Sequence, residues 1–156
     1  MSDNVRIILA DNGLIEMDFE RAKTYLLSKP QTELDFPFGE GVYVFKVKGK
    51  MFATLSIGKV GKEAEAKAKA DPETRPVSEQ QSWWMNLKCD PDEAAILRDI
   101  FPSVIPGYHM NKALWNTVIL DGSIPQGEIE RMIDNSFLLV VAKMTQKAQA
   151  SVLIHL

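Results

Sequence analysis

The sequence predicts an α+β fold in which helices pack on one face of an antiparallel sheet. Short runs of β-branched and aromatic residues indicate the strands, and segments with apolar residues at three- and four-residue spacing indicate the helices. A chain of 156 residues is long enough to bury one hydrophobic core. The predicted order is helix, three strands, helix, strand, helix, and an additional short strand near residues 104–105 stays open.

The N-terminal half contains a predicted helix and a hairpin. Asp18 can cap a helix over residues 18–29, which a Lys-Pro junction ends. Two runs rich in valine, isoleucine and phenylalanine predict strands near 42–48 and 51–57. Because glycine suits the first central position of a type II′ turn, we expect Gly49-Lys50 to join them.

Residues 58–82 differ in composition from both flanking segments. Alanine, lysine and glutamate dominate and no apolar stripe is present, so we expect a solvated charged insertion. The expected organisation is an N-terminal extension over 1–17 and a single domain over 18–156 that carries this insertion. No internal repeat or interdomain linker is visible.

The C-terminal half carries the clearest helix start. Residues 83–89 predict a strand, and Asp90 followed by Pro91 is typical of a helix N-terminus. Trp115–Leu120 predicts another strand, closed by an Asp-Gly turn. A last long helix opens near Pro125, and we expect the tail to pack back as a short terminal element.

Cysteine content and motifs exclude several classes of function. Cys89 is the only cysteine, so an intrachain disulfide is impossible and a reducing, cytoplasmic location is expected. A thiol just before a helix could be activated, but a small buried hydrophobe is the commoner role. We find no phosphate-cradling glycine pattern, GxSxG elbow or HExxH motif, and therefore predict no catalytic, cofactor or metal site.

Positive charge is concentrated in one region of an acidic chain. The net charge is −3, yet residues 42–69 hold seven lysines against two glutamates. Lys46 and Lys48 alternate onto one predicted face, and Lys50 falls in the predicted turn. A basic ribbon of this kind can engage phosphates, and lysines equally serve to keep an exposed sheet edge from pairing. Both readings stay open at this point.

The stretch "PGYHMNKALWNTVIL" collects polar side chains between a turn and a strand. His109, Asn111 and Lys112 follow a Pro-Gly turn. We favour local backbone hydrogen bonds as the role of the histidine and asparagine, ahead of ligand or phosphate contact and of catalysis, because no carboxylate lies nearby. The three tryptophans could stack on bases, although core packing is the commoner role of strand aromatics.

Two long segments carry a family resemblance. "LLSKPQTELDFPFGEGVYVFKVKGKMFATLSI" and "NLKCDPDEAAILRDIFPSVIPGYHMNKALWNTVILDGSIPQGEIERMIDNSFLLVVAK" resemble the MmcQ/YjbR family of small bacterial proteins over about residues 26–143. The motif "PGYHMNKxxWNTVxLDGSIP" is distinctive in order and spacing. The resemblance implies helix, three strands, helix, two strands, helix, similar to the secretion-chaperone-like fold. It also implies DNA binding by a double-wing arrangement of hairpins, and it supplies no catalytic residues.

The leading functional hypothesis is a cofactor-free protein that binds DNA weakly through phosphates. The alternative is a chaperone-like or adaptor-like module that binds protein through the open face or edge of the sheet. An enzyme ranks third, because a carboxylate would have to come from elsewhere in the fold. Base preference, oligomeric state and biological process stay open. The candidate nucleic-acid contacts are Lys46, Lys48, Lys50, His109, Asn111 and Lys112.

Overall fold

A computed structural model of the chain describes residues 17–58 and 82–156. These ranges contain four helices and one six-stranded antiparallel sheet, which confirms the predicted α+β class. The predicted extension and charged insertion lie almost wholly outside the described residues. The elements are α1 Phe19–Leu27, β1 Thr32–Asp35, β2 Tyr43–Val47, β3 Lys50–Gly58, β4 Ser82–Lys88, α2 Pro91–Ile100, β5 Val104–Pro106, β6 Trp115–Ile119, α3 Gln126–Ala142 and α4 Gln146–Leu153.

The sheet runs in the order β1-β2-β3-β4-β6-β5, and every neighbouring pair is antiparallel. Helix α3 packs across β2, β3 and β4, α1 packs on β1 and β3, and α2 packs on β5 and β6. Alternate strand residues point into one core on this side, where Phe52 meets Phe137 edge-to-face at 5.2 Å between ring centroids. The opposite side, called the open face below, carries the remaining strand residues. The side chains on this face include Lys46, Thr54, Ser56, Trp84, Asn86, Lys88 and Thr117, of which Thr54 and Thr117 are buried.

The predicted helix caps are present. The Asp18 carboxylate accepts a hydrogen bond from the backbone N–H of Arg21 at 2.8 Å, and the Asp90 carboxylate accepts one from Asp92 at 3.2 Å. Each bond satisfies an amide that has no partner inside its helix. Helix α1 begins and ends within the predicted 18–29, because the chain leaves the helix at Ser28, before the Lys-Pro junction.

The hairpin turn differs from the prediction. Lys48 (φ 48°) and Gly49 (φ 78°) both lie in the left-handed region, and Val47 pairs with Lys50. Positive φ at both central residues is the type I′ arrangement, so the predicted type II′ turn at Gly49-Lys50 is wrong by one position. A register shift between Phe45 and Lys46 accompanies the turn, and local sequence carries no signal for such a bulge.

Two strands at the edges of the sheet complete the architecture. Strand β1 was not predicted, because its four residues have weak strand propensity and form through pairing with β2. The short strand left open near 104–105 exists as β5. The tail forms helix α4, which begins where the Thr145 hydroxyl accepts a hydrogen bond from the Ala148 amide at 3.1 Å.

The ends of the predicted insertion are held by the sheet. Gly58 and Ser82 pair with each other at the last position of the β3–β4 ladder. The Trp84 ring lies directly over Gly58, where a Cβ atom would come within 1.9 Å of the indole. Glycine is therefore required here by close approach, and the chain leaves and re-enters the sheet at neighbouring positions.

Candidate nucleic-acid interface

The two predicted binding elements project from the same end of the sheet. Strand β3 runs from the hairpin turn to the Ala53–Leu87 pair, while β4 runs from that pair toward the same end and stops at Lys88. Lys88 pairs with Trp115, which follows the loop 107–114. Strands β2 and β6 are three neighbours apart, which corresponds to about 14 Å between the hairpin and the loop. Lys88, which was not among the predicted contacts, lies between them on the open face.

Lys46 is the least available of the predicted hairpin lysines. Its ammonium donates to the Asp35 carboxylate at 2.9 Å, and Glu33 is its direct cross-strand partner. The hydrogen bond from Lys46 lowers the pKa of Asp35 below its ordinary value, assisted by the Phe36 amide. The charge of Lys46 is therefore largely balanced by its own sheet.

The other two hairpin lysines are exposed but do not share a face with Lys46. Lys48 occupies the turn itself, so its expected place beside Lys46 is wrong. Lys50 pairs with Val47, whose side chain belongs to the core on the helix side. The type I′ turn is the cause, because it moves Lys48 out of the strand and Lys50 into it. The tip presents Lys48 and Lys50, and Lys46 points the other way.

The loop 107–114 is closed by short-range hydrogen bonds. The Gly107 amide donates to the Trp115 carbonyl at 2.9 Å, and a Cβ atom on Gly107 would lie 2.8 Å from Trp115 Cβ. The Asn111 side chain accepts from the Ala113 amide at 2.9 Å, which confirms its expected local role. The Lys112 ammonium donates to the Gly107 carbonyl at 2.8 Å and keeps further N–H groups for a ligand.

Arg98 of α2 fixes the loop to the body of the protein. Its Nε donates to Asn116 Oδ1 at 2.7 Å, and its Nη2 donates to the carbonyls of Trp115, at 3.3 Å, and of Lys112. Asn116 is 2% exposed, so its amide oxygen depends on this donor. Sequence reasoning missed Arg98, because an arginine on an amphipathic helix shows no sign of a partner 14 to 18 residues away.

A second polar network fixes the loop to the open face. The Tyr108 amide donates to Thr117 Oγ1 at 2.8 Å, and Asn86 Nδ2 donates to the Tyr108 carbonyl at 3.4 Å. Thr117 Oγ1 in turn donates to Asn86 Oδ1. The backbone of Tyr108 is thus held on both sides by neighbouring strands, β4 and β6.

Three rings gather where this network meets the solvent. Trp84 and Tyr108 pack edge-to-face with centroids 5.5 Å apart, and the rings of Tyr108 and His109 lie 4.0 Å apart. We call Trp84, Tyr108 and His109 the aromatic cluster. Tyr108 is 49% exposed, and within residues 17–58 and 82–156 the His109 imidazole makes no hydrogen bond. His109 contributes a left-handed backbone (φ 59°) instead of the expected side-chain bond.

The other two tryptophans are structural. Trp83 stacks on Phe19 with ring centroids 4.1 Å apart and contacts the edge of Tyr43. Trp115 is 9% exposed beneath the loop. Trp83 therefore packs against the core, the expected role of strand aromatics, and Trp115 is buried under the loop. Trp84 is half-buried, as Trp83 is, but lies on the open face.

The structure gives no sign of an activated nucleophile at Cys89. The side chain is 8% exposed, and burial, with the charges of Glu93 and Asp90, raises the pKa of the thiol to about 11. A cleft of about 460 Å³ beside it is lined by residues of α2 and α3 such as Leu138. In the part of the chain that the structure describes, no cluster of three metal-ligating side chains occurs. None of the helices found there is long and apolar enough to cross a bilayer.

Known proteins resemble this chain in sequence. A family model described as YjbR matches residues 27–139. The uncharacterized protein YbdF of Escherichia coli O157:H7 is 34% identical over 133 residues, which cover 85% of this chain and 92% of that protein. The uncharacterized protein YyaQ of Bacillus subtilis is 42% identical over 55 residues, which cover 35% of this chain and 46% of the relative. Neither name states an activity.

Solved structures share the fold. A crystal structure of the Deinococcus radiodurans protein DR2400, described as a DUF419 domain, superposes with a TM-score of 0.65 at 28% identity and covers 86% of each chain. A crystal structure of a Pseudomonas syringae protein gives a TM-score of 0.61 at 28% identity, over 79% of this chain and 98% of the other. The similarity extends over most of the chain.

Proposed function

This chain belongs to the YjbR family, and we propose that it binds DNA weakly through phosphate contacts made by one end of its sheet. The observation that carries the proposal is that the hairpin tip and the loop 107–114 connect strands at the same end of the sheet. Lys48 and Lys50 lie on the first projection and Lys112 on the second, with Lys88 between them. Four ammonium groups thus border one end of an otherwise acidic protein.

The spacing of the two projections suits a duplex. Their separation of about 14 Å is close to the width of the major groove, about 12 Å, so the projections can reach phosphates on both sides of it. Lysines at such positions fix register without reading sequence. Lys46 contributes less than its position suggests, since Asp35 already neutralises it. His109 and Asn111 act mainly through the shape of the loop.

Because the net charge is −3, attraction of DNA depends on the local positive potential around these lysines. Long-range attraction is weak, and binding rests on counterion release at a few contacts. We therefore expect low affinity at physiological salt and a logarithmic salt slope of about −0.9 for each phosphate contacted.

The test is a fluorescence-anisotropy titration of a labelled duplex at several salt concentrations. The variant Lys48→Glu with Lys50→Glu is expected to weaken binding and to reduce the slope by about two units. A matched control, Lys143→Glu with Lys147→Glu, makes the same charge change on two exposed residues, one just after α3 and one within α4. Equal losses in both variants would indicate a nonspecific effect of net charge and would refute the assignment of the hairpin tip.

A protein-binding role is the second candidate, and the edge of the sheet favours it. Strand β1 is an outer strand of only four residues, and the segment after it exposes Phe36 (41%) and Phe38 (67%). A partner strand can extend such an edge while exposed aromatics provide anchors. This role predicts a stoichiometric protein partner that survives nuclease treatment and is lost with Phe38→Ser. Recovery of nucleic acid alone would contradict it.

A further inference from the structure

We propose that the aromatic cluster is a stacking platform for an unpaired base, so that the interface binds single-stranded nucleic acid in preference to duplex. The inference rests on the proposed function and adds to it the form of nucleic acid that is preferred. It concerns the open face beside the loop, one strand away from the edge that β5 forms.

Hydrogen bonds to the backbone of Tyr108 hold this residue in place, and its ring takes no part in them. Its amide and carbonyl are bonded to Thr117 and Asn86, two side chains on different strands. The backbone is therefore fixed relative to the sheet, yet the phenol stays 49% exposed. A tyrosine used only for core packing would bury more of its ring, as the half-buried Trp83, packed against the core, and the buried Trp115 do.

The two neighbours of Tyr108 complete a surface with fixed geometry. Trp84 packs edge-to-face with the phenol and is itself wedged over Gly58, so it cannot retreat into the sheet. The exposed His109 ring is tilted by 49° to the phenol, with the two ring centroids 4.0 Å apart. Its left-handed backbone is uncommon for a residue other than glycine, although histidine adopts it more readily than most. A preformed π-surface of this kind loses little conformational entropy when a base stacks on it.

Positive charge lies on the same face as the aromatic cluster. Lys88 follows Trp84 by four residues on this face of β4, about 13 Å along the strand. Lys112 lies in the same loop as Tyr108. A backbone whose base stacks on the aromatic cluster would therefore pass two ammonium groups, which is the usual pairing of stacking platform and basic groove.

Base pairing decides which form of nucleic acid fits. In a duplex, the faces of internal bases are covered by their stacked neighbours, so the cluster could reach only backbone and groove edges. In a single strand each base can offer a free π-face. Stacking of one base on the cluster thus separates the two forms, whereas the lysines at the hairpin tip attract both.

The experiment compares a labelled single strand with the same strand annealed to its complement. Tyr108→Ala is expected to weaken single-strand binding by between about fivefold and 150-fold, the range for loss of one stacked base, and to leave duplex binding within about twofold. Tyr108→Phe keeps the ring and should retain affinity. Phe38→Ala truncates an exposed aromatic elsewhere and serves as the matched control.

A second variant guards against loss of folding in the first. His109→Asn removes the imidazole but keeps a residue that tolerates positive φ, so the loop should retain its shape. A selective loss of single-strand affinity of about threefold or more supports the stacking platform.

The outcomes separate the two proposals. Equal losses for single strand and duplex in both aromatic variants overturn the stacking platform. Unchanged single-strand binding in these variants, together with loss in the Lys48→Glu, Lys50→Glu variant, also overturns it and leaves phosphate binding standing. If the folded wild-type protein binds neither probe at low salt, both proposals are wrong.

Discussion

Replacement of Arg98 by methionine should destabilise the protein and loosen the loop 107–114. Methionine keeps the helix propensity and much of the aliphatic stem but removes every donor. Hydrogen bonds to a charged group contribute about 1.5–3 kcal/mol each, and a buried acceptor left without a donor costs about 1–3 kcal/mol. Asn116 Oδ1 is such an acceptor, whereas water can reach the exposed Lys112 carbonyl.

We therefore expect the free energy of unfolding to fall by about 2–4 kcal/mol. For a chain of this size, a loss of about 3 kcal/mol corresponds to a drop in Tm of about 6–12 °C. Urea denaturation with an unchanged m-value is the appropriate assay. Arg131→Met is the matched control, because Arg131 makes exposed ion pairs with Glu93 and Glu128 and should change stability by at most about 1 kcal/mol.

A double-mutant cycle tests the specific contact. Arg98→Met and Asn116→Ala should show a coupling of about 1 kcal/mol or more, because removal of both partners leaves no orphaned acceptor. If Arg98→Met lowers the free energy of unfolding by less than about 1 kcal/mol, or shows no coupling to Asn116→Ala, this arginine does not hold the loop.

Two further predictions concern backbone packing and a carboxylate. Gly107→Ala should lower the free energy of unfolding, measured by urea denaturation, by about 1–3 kcal/mol, because the new methyl group meets Trp115. Gly127→Ala has open space around the new methyl group, so it should be neutral or stabilise the protein by up to about 1 kcal/mol. Burial opposes ionisation of Asp121, but hydrogen bonds from two serine hydroxyls outweigh it and lower the pKa of the carboxyl. Its stabilising effect is complete above the unfolded-state pKa of about 4 and disappears as the pH falls through the folded-state value, so Asp121→Asn should flatten the acid limb of stability against pH. An acid limb unchanged in this variant would contradict the assignment.

The helices were predictable because their signals are local. A cap such as Asp90 acts on an amide two residues away, and the apolar spacing of α3 lies entirely within the helix. Strand β1 was not predictable in the same way. Its sequence, TELD, becomes a strand only because β2 lies beside it, and edge strands have the weakest local pattern.

The contacts of the candidate site are likewise either local, and predictable from the sequence, or long-range, and not predictable. The hydrogen bond within the loop from Ala113 to Asn111 could be inferred from the sequence, because asparagine side chains commonly accept from the amide two residues on in a turn. The contacts of Arg98, Asn86 and Thr117 join elements that meet only in the folded sheet. The hairpin lysines show how a small error in a turn affects a predicted site. The turn lies one residue earlier than predicted, which places Lys48 in the turn and Lys50 in the strand.

The loop also shows how structural and binding roles can be told apart within one motif. Gly107, Asn111 and Arg98 are each explained by a bond or a close approach that the fold needs. The rings of Tyr108 and His109 are not explained in this way, because the backbone of Tyr108 would be held equally well with a smaller side chain. Solvent exposure of two rings next to fixed backbone has no evident benefit for stability, so binding is the physical reason we infer for keeping them. If Tyr108→Ala proves as stable as the wild type and selectively weakens single-strand binding, that separation of roles is correct.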